Sequence, residues 1–340
     1  MQYHNNFTFG NIKISQESKT FIIAEAGVSH FGSLKKAYKL VDLAKFAGAD
    51  AVKFQAYITE ELIDKKFKSW FKRYKSKEVN FDFFKKVQLY CKKKKIIFLC
   101  TPHSNTGIEW IKKLNIPAIK IGSGELKNYD FLERVILLNK PIIVSTGMHD
   151  VNDLKNLNTF FKKKKFKKVI ILKCTTVYPS KYDFLNLRNL KLFKKIFNNA
   201  IIGYSDHTAE GLSCIVAASL NYKIIEKHIS LDFNIKNAQD WRVSLDQFSL
   251  RQMIENIKLV DKIKGSESIK LSIKEKKNKI WATKSLYYNK FFEKGHKIRY
   301  KDIDIKRPGN GIDPDNINNI LGKVIKKKLT SKKVKLQDFD

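Results

Sequence analysis

The stretch FIIAEAGVSHFGSLKKAYKLVDLAKFAGADAVKFQ, residues 21–55, contains a complete strand–helix–strand unit. Its two ends, FIIAE at 21–25 and AVKFQ at 51–55, are continuous apolar runs, which is typical of strands buried on both faces of a parallel sheet. Between them, Ser33 suits a helix N-cap, apolar residues follow at helical spacing, and Gly48 suits the helix C-terminus. The stretch therefore predicts two parallel strands joined by a helix.

The same alternation continues along the chain. Six further apolar runs follow, namely IIFLCT (96–101), AIKIGS (118–123), PIIVST (141–146), VIILKCT (169–175), AIIGYSDH (200–207) and KIIEKH (223–228). Amphipathic stretches separate most of them. Eight strand–helix repeats over about 250 residues predict an α/β fold of the (β/α)₈ TIM-barrel type. A doubly wound sheet is the alternative, although no glycine-rich dinucleotide-binding loop follows the first strand.

The last part of the chain has a different pattern, which predicts a second domain. We expect a barrel domain over 1–265, a linker over 266–280 and a small domain over 281–340. The small domain has short strands, a turn at KGHK (294–297) and a PGNG loop (308–311). A core of about 60 residues is marginal by itself, so docking onto the barrel or onto a second subunit would stabilise it.

The formal net charge of +34 raises the possibility of nucleic-acid binding. The lysines form many short runs spread over the chain, which indicates a solvated basic surface more than a nucleic-acid site. A nucleic-acid-binding barrel remains a rival hypothesis, and WFKRYK at 70–75, where aromatic and basic residues alternate, is its best feature. An inactive scaffold is a third hypothesis. In every case the charge would attract anionic small molecules.

The sequence also indicates where the protein works. It has no run of about 18 apolar residues, so no membrane span is predicted. The first residues, MQYHNNFTFG, lack the features of a signal peptide, so we expect a cytoplasmic protein. The cysteines show no CxxC pairing and are interpreted as reduced core thiols rather than disulfides or a zinc site; they are Cys91, Cys100, Cys174 and Cys214.

Polar residues occupy the carboxyl ends of the predicted strands, where a TIM barrel carries its active site. They are Glu25, Lys53, Gln55, Thr101, Lys120, Ser123, Glu125, Ser145, Thr146, Lys173, Thr176, Tyr178, Ser205, Asp206, His207, Glu226, Lys227 and His228. Charged side chains are almost never buried without a partner, so this concentration predicts a catalytic centre. Two lysines, Lys53 and Lys120, together with the serines suit a ligand that carries phosphate and carboxylate.

Three of these polar residues are adjacent in GYSDHT, residues 203–208. Ser205, Asp206 and His207 would point in different directions on a strand, so they do not form a nucleophilic triad. His207 and His228 end the last two strands, which are neighbours in a barrel, and could hold a divalent metal that keeps positions open for substrate. Hydrogen-bonded core histidines are the alternative. With the lysines, the pair predicts a metal-assisted enzyme that acts on a phosphorylated anion.

Nine stretches of the chain resemble the sialic acid synthase family. They are IIAEAGVSHFG, GADAVKFQAY, TPHS, IPAIKIGSGEL, KPIIVSTGM, CTTVYPS, GYSDHT, IEKHISLD and KRPGNGI. They occur in order from about residue 15 to about residue 335. The last of them resembles the antifreeze-like (SAF) domain that ends these enzymes.

The resemblance implies a reaction and its ligands. The family condenses phosphoenolpyruvate with an N-acetylmannosamine-type aldehyde sugar, which gives a nonulosonic acid and phosphate. It implies Mn²⁺ or Mg²⁺ on His207 and His228. It implies that phosphoenolpyruvate is bound by Lys53, Thr101, Lys120, Ser123, Ser145 and Ser205. It implies that the sugar is bound by Gln55, Tyr178, Asp240 and Arg307 of the partner subunit, in a domain-swapped homodimer; Thr176 also belongs to the expected substrate-binding set.

Four residues are expected to carry the catalytic roles. Lys53 and Lys120 would stabilise the departing phosphate. Glu125 would activate the water that adds to the reacting carbon, and Glu25 would act at the aldehyde oxygen or a metal-bound water.

The chain departs from the family pattern mainly on the sugar side. Ser29-His30-Phe31-Gly32 replaces the usual Asn-His-Asn-Gly, Phe233 and Trp241 stand at unusual places, and the loop over 56–79 offers no recognisable sugar contact. The sugar is therefore left open among N-acetylmannosamine, its 6-phosphate and a 2,4-diacetamido-2,4,6-trideoxy hexose, the last for a legionaminic or pseudaminic acid synthase.

Overall fold

The computed structural model describes residues 1–235, 240–266 and 268–339. The chain forms two compact units, Met1–Gly265 and Ser266–Asp340. No helix within the described ranges is both long enough and apolar enough to cross a membrane.

A short hairpin that the sequence analysis did not anticipate opens the first unit. Strands β1 (Asn6–Phe9) and β2 (Ile12–Ser15) pair antiparallel. Phe7, Phe9 and Ile14 on this hairpin are buried together with apolar side chains that fill the inside of the sheet, including Phe21. The hairpin therefore fills the end of the barrel at which the strands begin, and leaves the carboxyl ends of the strands as the open face.

Eight parallel strands form the barrel. They are β3 (Phe21–Gly27), β4 (Ala51–Ala56), β5 (Ile97–Pro102), β6 (Ile119–Ile121), β7 (Ile142–Ser145), β8 (Val169–Cys174), β9 (Ile201–Asp206) and β10 (Ile224–Ile229). They pair in chain order, and β10 also pairs parallel with β3, so that Ile224 lies opposite Phe21. The sheet is closed. The predicted TIM barrel is confirmed, and the doubly wound alternative is excluded.

Helices follow the strands of this barrel along the chain. They are α1 (Leu34–Ala47), α2 (Thr59–Leu62), α3 (Lys68–Lys75), α4 (Phe81–Lys94), α5 (Asn105–Leu114), α6 (Tyr129–Ile136), α7 (Val151–Lys163), α8 (Leu190–Ile196), α9 (Leu212–Ser219) and α10 (Gln247–Lys264). They cover the outside of the barrel, except that α2 and α3 lie in the connection between β4 and α4. The predicted caps of α1 are present, because the Ser33 side chain accepts a hydrogen bond from the Lys36 amide and Gly48 is left-handed at φ 86°. A short strand, β11 (Ser244–Leu245), pairs with β10. The four cysteines are buried and free.

The inside of the barrel changes from apolar to polar along each strand. Side chains two residues apart point to the same face of a strand. Ile23, Ala51 and Leu99 belong to the inner apolar cluster. Two residues further along their strands lie Glu25, Lys53 and Thr101, which are also buried. The apolar cluster thus forms the floor beneath a layer of charged and hydroxyl side chains.

The second unit begins with helix α11 (Ile273–Ala282), followed by the antiparallel strands β12 (Ser285–Tyr288) and β13 (Ile303–Lys306). It has an apolar core of its own, which includes Leu286, Ile298 and Ile320. Gly295, in the predicted KGHK turn, is left-handed at φ 87°. The antifreeze-like assignment of this unit stays a prediction.

Candidate active site

A cavity of about 280 Å³ lies at the carboxyl ends of the barrel strands. Its lining consists of Glu25, Val28, Lys53, Gln55, Trp70, Arg73, Tyr74, Lys77, Thr101, His103, Lys120, Gly122, Ser123, Gly124, Thr176, Tyr178, Ser205, His207, Glu226, His228 and Asp240. These residues come from all parts of the first unit. The fold therefore brings them together only when the barrel closes.

Of the fifteen residues for which a catalytic, substrate-binding or metal-binding role is predicted from the sequence, twelve line this cavity and three do not. Ser145 is buried just behind the lining, where it accepts a hydrogen bond from Lys120 Nζ at 2.7 Å. Glu125 accepts a hydrogen bond from the Asn128 side chain at 2.7 Å. Arg307 belongs to the second unit, where its guanidinium lies over the Trp281 ring. Their expected roles are not tested by this placement.

Two lysines and two glutamates form a buried charged cluster at the base of the cavity. Lys53 Nζ lies 2.6 Å from Glu25 Oε2 and 3.6 Å from Glu226 Oε2. Lys120 Nζ lies 3.7 Å from Glu226 Oε1. All four side chains are at most 5% exposed. Buried charges are costly even when paired, so such a cluster is typical of a functional site.

Hydroxyl and amide groups bind to this cluster. Thr101 Oγ1 accepts from Lys53 Nζ at 3.0 Å, and Ser205 Oγ donates to Glu226 at 2.8 Å. Gln55 Nε2 donates to Glu25 Oε1 at 2.9 Å. These contacts hold the charged side chains in place before any ligand binds.

Burial and pairing shift the pKa values within the cluster in different directions. Burial lowers the pKa of Lys120, and the neighbouring Glu226 only partly offsets this. Burial acts to raise the pKa of Glu226, but Lys120 and Lys53 outweigh it and lower the value to about 2. For Lys53, burial is outweighed by Glu226 and Glu25, which raise the pKa. Lys120 is therefore the cation of this cluster that loses its proton more readily.

His207 and His228 face each other across the mouths of β9 and β10, with ring centroids 5.3 Å apart. His207 Nδ1 lies 2.7 Å from the Thr175 carbonyl oxygen, to which it donates, so that Nε2 carries a lone pair and accepts from Tyr178 at 2.8 Å. Burial lowers the pKa of His228 to about 3, so this ring is neutral near pH 7. For His207 the effect of burial is outweighed by Cys174, which raises its pKa.

This pair fits a divalent metal as a two-nitrogen donor set. Neutral imidazole nitrogens are good ligands for Mn²⁺ or Zn²⁺. Among the residues in the described ranges, no three His, Cys, Asp or Glu side chains form a cluster able to hold a metal by themselves. A metal on His207 and His228 would therefore complete its coordination with water or substrate oxygens.

The three adjacent residues of GYSDHT are separated by the strand alternation. Ser205 and His207 face the cavity, whereas the Asp206 side chain is fully buried on the outer face of the sheet, beneath α9. There Asp206 Oδ2 lies 2.5 Å from Lys227 Nζ, and Asp206 Oδ1 accepts from Ser213 on α9. Asp206 and Lys227 are thus structural residues of the wall between β9, β10 and α9.

Glycine at position 147 allows two cavity residues to approach the backbone. Its amide donates to Ser123 Oγ at 2.9 Å. A Cβ at this position would lie 2.0 Å from Thr176 Oγ1 and 2.8 Å from Ser123 Oγ. Thr176 Oγ1 itself is buried and has no hydrogen-bond partner within the described part of the chain. The absence of a side chain at position 147 is thus what leaves room for the hydroxyls of Thr176 and Ser123.

One wall of the cavity was missed by the sequence analysis. Trp70, Arg73, Tyr74 and Lys77 lie on and just after α3, within the loop that the sequence left without a sugar contact. From the sequence alone, WFKRYK at 70–75 stands out only as a candidate nucleic-acid feature. The sequence carries one usable signal, because positions 70, 73, 74 and 77 have the spacing of one helix face, although α3 itself ends at Lys75.

Glu226 and His103 also line the cavity. His103 Nδ1 lies 3.8 Å from Glu125 Oε1, which connects the expected base to the cavity indirectly.

His30, in contrast, is fully buried and accepts a hydrogen bond from the Gly32 amide through Nδ1. Trp241 lies outside the cavity lining, and its indole donates to the Ile235 carbonyl.

Comparisons with known proteins show which family the chain belongs to. An N,N'-diacetyllegionaminic acid synthase from Campylobacter jejuni is 34% identical over 91% of this chain and 96% of its own length. A pseudaminic acid synthase from the same species is 32% identical over 90% of this chain and 92% of its own length. The resemblance to sialic acid synthases is thereby confirmed.

A solved structure extends the match to three dimensions. The crystal structure of an N-acetylneuraminic acid (sialic acid) synthetase from Leptospira borgpetersenii, in complex with citrate, superposes with a TM-score of 0.75 at 30% identity. The match covers 82% of this chain and 96% of that chain. The family model of NeuB matches residues 40–269. This chain belongs to the NeuB family.

Proposed function

We propose that this protein condenses phosphoenolpyruvate with an open-chain N-acetylmannosamine-type aldehyde sugar, forming a nonulosonic acid and phosphate. The observation that carries the proposal is the buried cluster of Lys53, Lys120, Glu25 and Glu226, which lies beside two histidines in one cavity. The relatives named as legionaminic and pseudaminic acid synthases support the same class of reaction.

The base of the cavity provides the groups that phosphoenolpyruvate needs. Lys53 and Lys120 supply two ammonium groups, and Thr101, Ser123 and Ser205 supply hydroxyls around them. Ammonium and hydroxyl donors suit phosphate and carboxylate oxygens. Substrate binding would also relieve part of the electrostatic cost of keeping these lysines buried.

The reaction joins two carbons and breaks one carbon–oxygen bond. C3 of the enol phosphate attacks the aldehyde carbon, whose oxygen takes up a proton. Positive charge develops at C2, and water adds there and loses a proton. The C2–O bond to phosphate then breaks, the electron pair leaves with the phosphate, and the C2 hydroxyl passes its proton to the departing phosphate to give the C2 ketone. Lys53 and Lys120 would stabilise the departing dianion, because the charge builds up where their ammonium groups lie.

Carboxylates would move the protons. Glu25 lines the cavity and is held by Gln55 and Lys53. We assign to it the proton transfer to the aldehyde oxygen. Glu125 remains the proposed base for water addition, and would act from its position behind His103. A divalent metal, Mn²⁺ or Mg²⁺, on His207 and His228 would supply Lewis acidity for the aldehyde oxygen.

Several finer parts of the proposal concern the sugar and the assembly. Gln55, Tyr178 and Asp240 line the cavity and are the groups that we assign to the sugar. Arg307 of the partner subunit would complete this set in a domain-swapped homodimer. A 2,4-diacetamido-trideoxy hexose is the alternative substrate, favoured by the named relatives.

The experiment that tests the reaction measures phosphate release from phosphoenolpyruvate by the full-length protein with Mn²⁺. The panel contains N-acetylmannosamine, its 6-phosphate and a diacetamido-trideoxy hexose, with a control that lacks sugar. Sugar-dependent release is expected. Absence of release with every sugar, in folded and metal-supplied protein, would overturn the proposal.

A further inference from the structure

The cavity wall formed by α3 and the residues just after it carries two cations that have no carboxylate partner in the described part of the chain. Arg73 and Lys77 both line the cavity and are half-buried. No carboxylate oxygen of the described residues lies within 4.0 Å of their charged nitrogens. The acidic residues close to them in sequence, Glu60 and Glu78, instead bind Lys75 at 3.0 and 2.8 Å.

The wall that carries these cations is anchored to the barrel. Tyr57, just after β4, donates a hydrogen bond to the Tyr74 carbonyl at 3.0 Å, and the two rings meet edge to face. Tyr74 lies directly after Arg73. The guanidinium is therefore attached to a fixed segment and not to a loose loop.

Lys77 is held by an aromatic ring that leaves its charge unneutralised. Its Nζ lies 5.3 Å from the centroid of the Phe31 ring. Phe31 is left-handed at φ 48°, a conformation that suits Asn better than a bulky residue. The resemblance places Asn at this position in the family, so the aromatic ring that meets Lys77 is a departure of this chain from the family pattern; the same ring also lies 5.4 Å from Lys36 Nζ. Burial lowers the pKa of Lys77, and Asp240 only partly offsets this.

An anion from the substrate is the partner that this arrangement lacks. In the proposed function, Lys53 and Lys120 at the base of the cavity bind the anionic groups of phosphoenolpyruvate. Arg73 and Lys77 line the cavity from α3 and the residues just after it, and Lys77 shares a smaller pocket with Asp240, one of the groups assigned to the sugar. A neutral sugar with acetamido groups offers carbonyl oxygens, which do not require two cations. A phosphate monoester matches a guanidinium fork with an ammonium beside it.

We propose that Arg73 and Lys77 bind an anionic substituent of the aldehyde sugar, of the phosphate-monoester class, and so select a phosphorylated sugar over a neutral one. This inference rests on the proposed function. Asp240, which lines the same cavity, would accept hydrogen bonds from sugar hydroxyls.

The test compares matched sugars and matched variants of the full-length protein. The kcat/KM for N-acetylmannosamine and for its 6-phosphate is measured in wild type, Arg73→Gln, Lys77→Gln and Lys72→Gln. Lys72 is an exposed cation of the same helix outside the cavity lining, so it controls for the general basic field. We expect kcat/KM of the wild type to be at least ~10-fold higher for the 6-phosphate than for N-acetylmannosamine. Each cavity variant should lower this preference ~10-fold, since one hydrogen bond to a charged group is worth about this factor. Lys72→Gln should keep the preference.

The outcomes separate this inference from the proposed function. The inference is overturned if kcat/KM for N-acetylmannosamine equals or exceeds kcat/KM for its 6-phosphate, and if this ratio is the same in Arg73→Gln and Lys77→Gln. The proposed function would still stand. A rise in KM for phosphoenolpyruvate in these variants, without a change in sugar preference, also overturns the inference.

If no sugar supports turnover, the proposed function fails, and calorimetric binding of the two sugars decides about the anion site. Tighter binding of the 6-phosphate that is lost in Arg73→Gln supports the site. Equal binding of both sugars, or binding unaffected by Arg73→Gln, overturns it.

Discussion

Asp206 and Lys227 form an ion pair whose side chains are both fully buried, with 2.5 Å between Oδ2 and Nζ. Lys227 Nζ also donates to the carbonyl of Thr208. The pair joins β9 to β10, the two strands that carry His207 and His228. The charges that hold the two histidines in register are therefore outside the cavity.

Removal of one partner of this pair should strongly destabilise the first unit. We expect Lys227→Met to lower the free energy of unfolding by about 3–5 kcal/mol, because it leaves the Asp206 carboxylate buried without its cation. Urea denaturation followed by circular dichroism measures the effect. The exposed pair Arg251–Glu255 is the matched control, and Glu255→Gln should change stability by less than about 1 kcal/mol.

The same pair predicts how stability depends on pH. Burial acts to raise the pKa of Asp206, but Lys227 outweighs it and lowers the pKa below the ordinary 3.8. A carboxylate with a lowered pKa contributes stability above its unfolded value, and this contribution is lost as pH falls through the folded value. Wild type should lose stability below about pH 4, and Asp206→Asn should lose less over that range. An equal loss in both proteins would contradict this account.

Glycine 147 offers a test of the cavity geometry. In Gly147→Ala the new methyl group would collide with Thr176 Oγ1 and Ser123 Oγ. We expect KM for phosphoenolpyruvate to rise at least tenfold, since one misplaced ligand contact to a charged group costs about this much. Gly10, in the turn between β1 and β2, lies outside the cavity lining, and a Cβ there would come no closer than 3.7 Å to Ile97, so Gly10→Ala is the control and should retain wild-type KM.

Lys120 should set the alkaline limit of the reaction. Its pKa lies below the ordinary 10.5 because burial disfavours the charged form. An ammonium that must be protonated to hold phosphate loses function as pH rises through its pKa. We expect kcat/KM for phosphoenolpyruvate to fall on the alkaline side, and Lys120→Met to lower it about 100-fold or more at neutral pH. A pH profile that stays flat to pH 10.5 would exclude this role.

The two candidate carboxylates can be separated by matched substitutions. Glu25 lines the cavity, whereas Glu125 reaches it only through His103. We expect Glu25→Gln to reduce kcat about 100-fold or more, and Glu125→Gln to reduce it less, because general base catalysis requires contact with the substrate or one water. Retention of most turnover in Glu125→Gln would remove the role assigned to that residue.

The barrel was predictable because its signal repeats. Strands buried on both faces must be apolar along their length, so the eight runs are visible without knowledge of their contacts. The hairpin β1–β2 was missed since a strand such as NFTF is short and only half apolar. Its role as a plug depends on packing against the barrel floor, which the local sequence does not encode.

The site was predictable where strand alternation applies. Lys53 and Lys120 follow apolar inner residues by two positions, so their direction could be read from the sequence. Glu125 lies in a short helical turn, Ser123–Glu125, after β6 has ended, where this rule no longer gives a direction. Arg73 and Lys77 lie in a basic segment that resembles solvated surface, and only the folded chain shows which face meets the cavity.

The hairpin at the amino end has a consequence for the order of events. Apolar side chains fill that end, so ligands enter from the carboxyl ends of the strands. Lys53 and Lys120, almost inaccessible, lie at the bottom of the cavity, and the half-buried Arg73 lies nearer its rim. The ligand that binds at the bottom must arrive first, because the ligand at the rim then closes the route behind it. Steady-state kinetics should accordingly be sequential and ordered, with phosphoenolpyruvate leading and the sugar following.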